Sequence, residues 1–253
     1  MAANGKSGFL GALVAGFVSG YLILLLRKLC DKLPEALEKI APVLIYPVFG
    51  ILGIGLLMNF AVEPIMGAIN TALNNGLTGM GGSSKIVLGL ILGGMMAIDM
   101  GGPFNKAAYV FGTAQLTVAN AGPEQFAIMA AVMIGGMVPP LAIALATTLF
   151  KDKFTESERK SGIVNYVMGL SFITEGAIPF AAGDPARVIP SCVVGSAIAG
   201  ALSMAFGCGS RAPHGGIFIL PVITNPLMYF VALVIGSIVG AVILGLLKSK
   251  KAN

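Results

Sequence analysis

Uncharged apolar runs of bilayer-spanning length recur from one end of the sequence to the other, and this limits the fold more than any other feature. Residues 8–26, 41–62, 126–150, 188–206 and 227–247 carry no charged side chain. Each is about 20 residues long, enough to cross hydrocarbon as a helix. In lipid every backbone polar group must be satisfied by the protein itself, and for runs this long a helix does so within the segment. Charged residues make up only 11% of the chain and hydrophobic ones 56%, whereas a soluble domain carries about 25% charge. The expected fold is an all-α polytopic membrane protein with five crossings.

The charges that remain sit at the ends of these runs. Arg27, Lys28, Lys32 and Lys39 follow the first, Lys151, Lys153, Arg159 and Lys160 the third, and Lys248, Lys250 and Lys251 the last. Such clusters mark cytoplasmic loops. The net charge of +5 is therefore a topology signal, and no basic–aromatic interleaving suggests stacked bases. A surface helix is expected after Pro34, and another from Thr155-Glu156-Ser157-Glu158, a capping-box pattern. Glu63 and Pro64 are expected to end the second crossing, with an outer loop running on to Lys85. The first run is too long for the apolar part of a signal peptide. Cys30, Cys192 and Cys208 have no metal-ligand spacing and are expected to be packing cysteines. Neither a metal nor a cofactor is expected. The phosphate-cradling G-x-x-x-x-G-K-[ST] pattern is absent from the sequence, so the chain is not expected to hydrolyse ATP.

Two further apolar regions are interrupted at their middles. Residues 86–98 and 107–119 flank Asp99-Met100-Gly101-Gly102-Pro103-Phe104-Asn105-Lys106, and residues 162–172 and 180–186 flank Ile173-Thr174-Glu175-Gly176-Ala177-Ile178-Pro179. Short arms around a Gly- and Pro-containing tip give re-entrant hairpins near 86–119 and 162–186. Irregular backbone at that depth is tolerated only where protein or a wet cavity covers it. Asp99 precedes Pro103-Phe104 by the offset at which Glu175 precedes Pro179-Phe180, which suits an inverted repeat around a midplane site. The chain divides into scaffold spans at 8–62 and a substrate-binding part at 86–247.

Glu175 leads the candidate residues. A carboxylate deep in an apolar region either takes part in function or pairs with a base, here Lys106 or Arg187. A carboxylate also accepts strong hydrogen bonds from the hydroxyls of a neutral, hydroxyl-rich ligand such as a sugar. Thr174 stands beside it. On the first tip, Asp99 either accepts from a ligand or caps the Gly-Gly turn, Asn105 both donates and accepts, and Lys106 offers a cation. His214, in Arg211-Ala212-Pro213-His214-Gly215-Gly216, bonds either a ligand or a nearby carbonyl. Asp184 and Arg187, three apart, suit a local helix pair. The residues alone leave two readings open, a sugar-binding transporter subunit and an ion-coupled transporter with Asp99 and Glu175 as ion sites.

The motifs Asp99-Met-Gly-Gly-Pro-Phe-Asn-Lys-Ala-Ala-Tyr109, Ile173-Thr-Glu-Gly-Ala-Ile-Pro-Phe180 with Gly183-Asp-Pro185, and Ala212-Pro-His-Gly-Gly216 resemble the membrane component (EIIC) of the fructose-type bacterial phosphotransferase system, over essentially the whole chain. The resemblance implies a homodimeric inner-membrane subunit of the glucose-superfamily fold. Its two re-entrant hairpins would meet at fructose or a related hexose. A phosphorylated IIB protein or domain would carry the phosphoryl residue and transfer the group. The resemblance also implies that Glu175 contacts the sugar. Where other members place a histidine on the first hairpin, this chain has Asp99 and Asn105. It is expected to be a short form without the family's earlier spans and without IIA and IIB domains. A non-transporting scaffold is the remaining alternative.

Overall fold

The computed structural model describes residues 7–32, 34, 40–79, 85–117 and 121–249, almost all of them helical. The expected surface helix after Pro34, the loop start at Asn120 and the terminal Lys250 and Lys251 lie outside the described residues. The chain forms two compact units, 1–78 and 79–253.

In the first unit, α1 (Gly8–Cys30) covers the first apolar run and packs against α2 (Tyr46–Leu57). The second run departs from expectation. It does not stop at Glu63-Pro64, because helix continues as α3 (Glu63–Gly79). The cause lies just before each proline. Pro47 and Pro64 remove the N–H groups that the carbonyls of Val43 and Phe60 would accept from. A π-helical turn sits at each place, Ala41–Ile45 and Met58–Val62, and absorbs the missing bond and the ring without breaking the axis. Glu63 is held as well. Its carboxylate accepts from the Ser7 N–H at 3.2 Å and from the Ser7 hydroxyl.

The second unit is built around α6 (Pro123–Leu149), whose apolar length is almost wholly buried. Around it pack α4 (Lys85–Ile98), α5 (Pro103–Leu116), α7 (Glu156–Leu170), α9 (Pro185–Ala205) and α10 (Pro226–Leu247), with the short α8 (Ile178–Gly183) against α9. A helix apolar on every side belongs inside such a bundle. α4 and α9 approach until backbones touch. A Cβ at Gly200 would lie 2.2 Å from the Gly89 carbonyl oxygen, and one at Gly93 would lie 2.3 Å from that of Ser196. This is the close small-residue packing that holds helices together in lipid.

Among the described residues, four helices are long and apolar enough to cross a membrane: Ala41–Ile69, Pro123–Leu149, Pro185–Ala205 and Pro226–Leu247. The chain is an all-α polytopic membrane protein, and four of the five expected crossings fall on these helices. Two boundaries move. The helix expected to start at Thr155 and the arm beginning at 162 are one continuous α7, opened by a complete Thr155–Glu158 capping box. α9 begins at Pro185, three residues before the expected crossing, since proline suits a first helical turn.

The Gly-Pro-broken stretch between α9 and α10 holds structure that the sequence did not suggest. Strands β1 (Gly209–Ser210) and β2 (Ile223–Thr224) pair antiparallel and close the loop. All three cysteines are free and buried, as packing cysteines should be. Burial pushes the Cys208 thiol up to about 11.

Candidate functional site

The first tip is knitted together by two side chains acting in opposite directions. α4 stops at Ile98 and α5 starts at Pro103, leaving carbonyls and N–H groups without helical partners. The Asp99 carboxylate accepts from the N–H of Phe104 at 2.7 Å and of Asn105 at 2.9 Å, which caps α5. Asn105, only 2% exposed, donates its amide to the Met96 carbonyl at 2.7 Å, which caps α4. Both were candidates for ligand contact, and both are engaged by the backbone of their own tip. Between them Met100 takes a left-handed φ of 45° and buries its side chain.

The second tip is tied to α6. Pro140 has no N–H, so the Gly136 carbonyl four residues earlier loses its helical donor. The buried Thr174 hydroxyl donates to that carbonyl at 2.8 Å. A neighbouring hydroxyl is a common remedy for proline in a membrane helix. Thr174 is thus a fastener rather than an exposed ligand group. Thr174→Val keeps the shape but leaves the carbonyl unsatisfied. It is expected to cost about 1–3 kcal/mol, read as a lower unfolding midpoint in detergent. In a Pro140→Ala background the helical bond can re-form, and the same substitution should cost less.

Glu175 follows in the short 3-10 turn Thr174–Ala177, its side chain 48% exposed. It faces the first tip. A Cβ at Gly101 would lie 2.9 Å from its Oε1, and Lys106 Nζ, from the first turn of α5, stands 3.4 Å from the same oxygen. The equal proline offsets therefore do not carry equal geometry. Asp99 caps its own tip, while Glu175 reaches across to the other. Beneath both, Met100, Ala177 and Phe180 share one buried core with Ile143, Val188, Cys192 and Leu244.

His214 joins from the α9–α10 loop. Gly216, at φ 57°, lies so close to the end of α7 that a Cβ there would be 2.1 Å from the Leu170 carbonyl oxygen. That contact brings the His214 ring within 4.9 Å of the Phe172 ring and 6.5 Å of Tyr109, with Tyr109 and Phe172 6.1 Å apart. Phe172, at φ 62°, is the second tip's left-handed residue. Tyr109 and Phe172 were not singled out from the sequence. Tyr109 closes the first motif and falls one helical turn after Lys106, which was the available signal.

Lys106 and Glu175 thus meet from two segments, and His214, from a third, meets Tyr109 and Phe172 of the same two segments. Asp99, Asn105 and Thr174 hold the tips in shape. Asp184 and Arg187 form the expected local pair at 3.2 Å. Among the described residues no three His, Cys, Asp or Glu side chains cluster as metal ligands. The Lys106–Glu175 pair is partly solvated at both ends, and pairs of that kind contribute little to stability. Its partners can exchange each other for ligand hydroxyls without leaving a buried charge unpaired.

Residues 1–195 match the family model described as "Phosphotransferase system, EIIC". The chain is 51% identical over 98% of its length to the PTS system fructose-specific EIIABC component of Bacillus subtilis, of which it covers 38%. It is 51% identical over the same share to the fructose permease IIC component of Bacillus amyloliquefaciens, covering 80% of that protein. The PTS system fructose-specific EIIC component of Haloferax volcanii is 45% identical over 94% of this chain, which spans 62% of that relative. No solved structure matches.

Proposed function

The chain belongs to the EIIC family of the phosphotransferase system, and we propose that it is the subunit that carries a hexose, fructose first, through the membrane. The sugar binds between the two tips and is presented to a phosphorylated IIB partner on the cytoplasmic side. IIB supplies the phosphoryl group and this chain supplies the grip. The observation that carries this reading is the meeting of the tips. Glu175 and Lys106 come from different helix-broken segments, stand 3.4 Å apart and remain partly open. Glu175 then accepts from sugar hydroxyls, Lys106 donates to a sugar oxygen, and the Tyr109 and His214 rings, backed by the buried Phe172, cover the apolar side of the hexose. Both tips are re-entrant in this proposal. Residues 8–62 serve as scaffold, and the working unit is a homodimer.

The ion-coupled alternative needs two free carboxylates. Both Asp99 oxygens accept backbone N–H bonds, which speaks for sugar binding over ion transport. Labelled fructose uptake into vesicles decides between them. We expect uptake as the phosphate ester, dependent on phosphorylated IIB. Uptake driven by a proton or sodium gradient without any phosphocarrier would sink the proposal, and binding without flux in vesicles supplied with IIB would leave only a scaffold.

A further inference from the structure

We propose that Lys248 is a positioning residue whose single ammonium pins both feet of the second hairpin. Lys248 follows the last residue of α10 and is only 6% exposed. Its Nζ lies 3.5 Å from Asp184 Oδ2 and 3.8 Å from Glu158 Oε1, and 4.9 Å from the centroid of the Phe154 ring. The two carboxylates come from opposite ends of one device. Glu158 sits in the first turn of α7, the arm that climbs to the Glu175 tip, and Asp184 sits where the chain leaves α8 and enters α9. One buried cation therefore closes the base of the hairpin.

The rest of the protein sharpens the contrast. Lys85–Glu124 and Lys160–Glu156 are shorter pairs, at 2.6 and 2.8 Å, but each side chain is 46% exposed or more, and such pairs are weak. A lysine is almost never buried unless paired. Asp184 also pairs with Arg187 at 3.2 Å and Glu158 also accepts from Thr155, so what Lys248 alone supplies is the link between the two carboxylates. The end of α10 is also fastened beside Lys248, where Lys153 Nζ donates to the Gly245 carbonyl at 2.5 Å. Phe154, under the ammonium, belongs to the same buried core as Met100, Ala177 and Phe180. Moving the feet thus moves the floor on which both tips rest. From Glu158 to the end of α7 is about 18 Å at the helical rise, so Lys248 acts on the site only through the hairpin.

The functional half of this inference rests on the tips being the sugar site; the structural half does not. The test uses the full chain in nanodiscs, with Lys248→Met, which keeps the stem and removes the charge, and Lys248→Arg, which keeps the charge. Amide hydrogen exchange is followed at residues 171–177 and in the middle of α6, and fructose affinity is measured alongside. Lys248→Met is expected to speed exchange at 171–177 by about tenfold while α6 stays as in the parent protein. It should weaken fructose binding about fivefold or more. Lys248→Arg should bring both back to within about twofold. If Lys248→Met does not insert, Glu158→Gln and Asp184→Asn each remove one anchor and should loosen the same amides. Unchanged exchange at 171–177, loosening spread evenly over α6, or an arginine variant as impaired as the methionine one overturns the proposal. If the parent protein binds no hexose, the proposed function fails and the exchange result still decides the role of Lys248.

Discussion

Glu175→Gln is expected to weaken fructose binding by about 1–3 kcal/mol, the scale for losing a charged hydrogen-bond partner, while leaving the fold at its original stability. The two halves of this expectation have different causes. Glutamine fills the same space beside Gly101 but offers one neutral acceptor where the carboxylate offers two charged oxygens, and charge-assisted bonds are the stronger kind. The sugar loses acceptors, and Lys106 loses the anion 3.4 Å away. The fold loses little, because the Lys106 and Glu175 side chains are 32% and 48% exposed and water replaces what the pair gave up. Calorimetric titration of the purified protein with fructose, beside a thermal melt, separates the two. A folded variant with undiminished affinity would remove Glu175 from the site. A variant that melts early without binding more weakly would make the pair a structural brace instead.

Where the sequence could be read, the reason was local. A crossing needs only a sufficient length of apolar side chains, so the positions of α6, α9 and α10 followed from composition alone. Expectation failed at Glu63-Pro64, because what permits helix there is a π turn at Met58–Val62 that no residue pattern announces. The site was half legible for a similar reason. Polar groups in an apolar region drew attention to Asp99, Asn105, Thr174 and Glu175 alike, because type and position are visible in a sequence and partners are not. Three of them turn to backbone, two within their own tip and one to the Gly136 carbonyl 38 residues earlier in the chain. Only Glu175 faces the opposite tip. Tyr109 and Phe172 passed unnoticed because an aromatic side chain in a membrane segment needs no explanation by itself. The two rings meet across 63 residues of chain, and the third ring, His214, comes 42 residues after Phe172, where a glycine contact brings it into place.

That glycine contact sets up the second large effect. Gly216→Ala is expected to lower stability and to abolish high-affinity fructose binding together, unlike Glu175→Gln. Two costs combine. At φ 57° an alanine meets the left-handed penalty of about 1–2 kcal/mol. Its Cβ would also lie 2.1 Å from the Leu170 carbonyl oxygen and 2.9 Å from the Phe172 nitrogen. Neither is the end of a flexible side chain, so backbone must move, and forced repacking costs about 1–3 kcal/mol more. The segments pushed apart are the end of α7, which leads into the Glu175 tip, and the loop that carries His214. The tilted Phe172–His214 ring contact should open as the melting point falls. Gly207→Ala separates the two costs. Gly207 has a φ of 65° but nothing within 4 Å of a built Cβ, so it should show the backbone penalty alone and keep its affinity for sugar. Equal losses in the two variants would mean that the Gly216 contact does not hold the third segment against the tip, and the ring cluster would then have no part in binding.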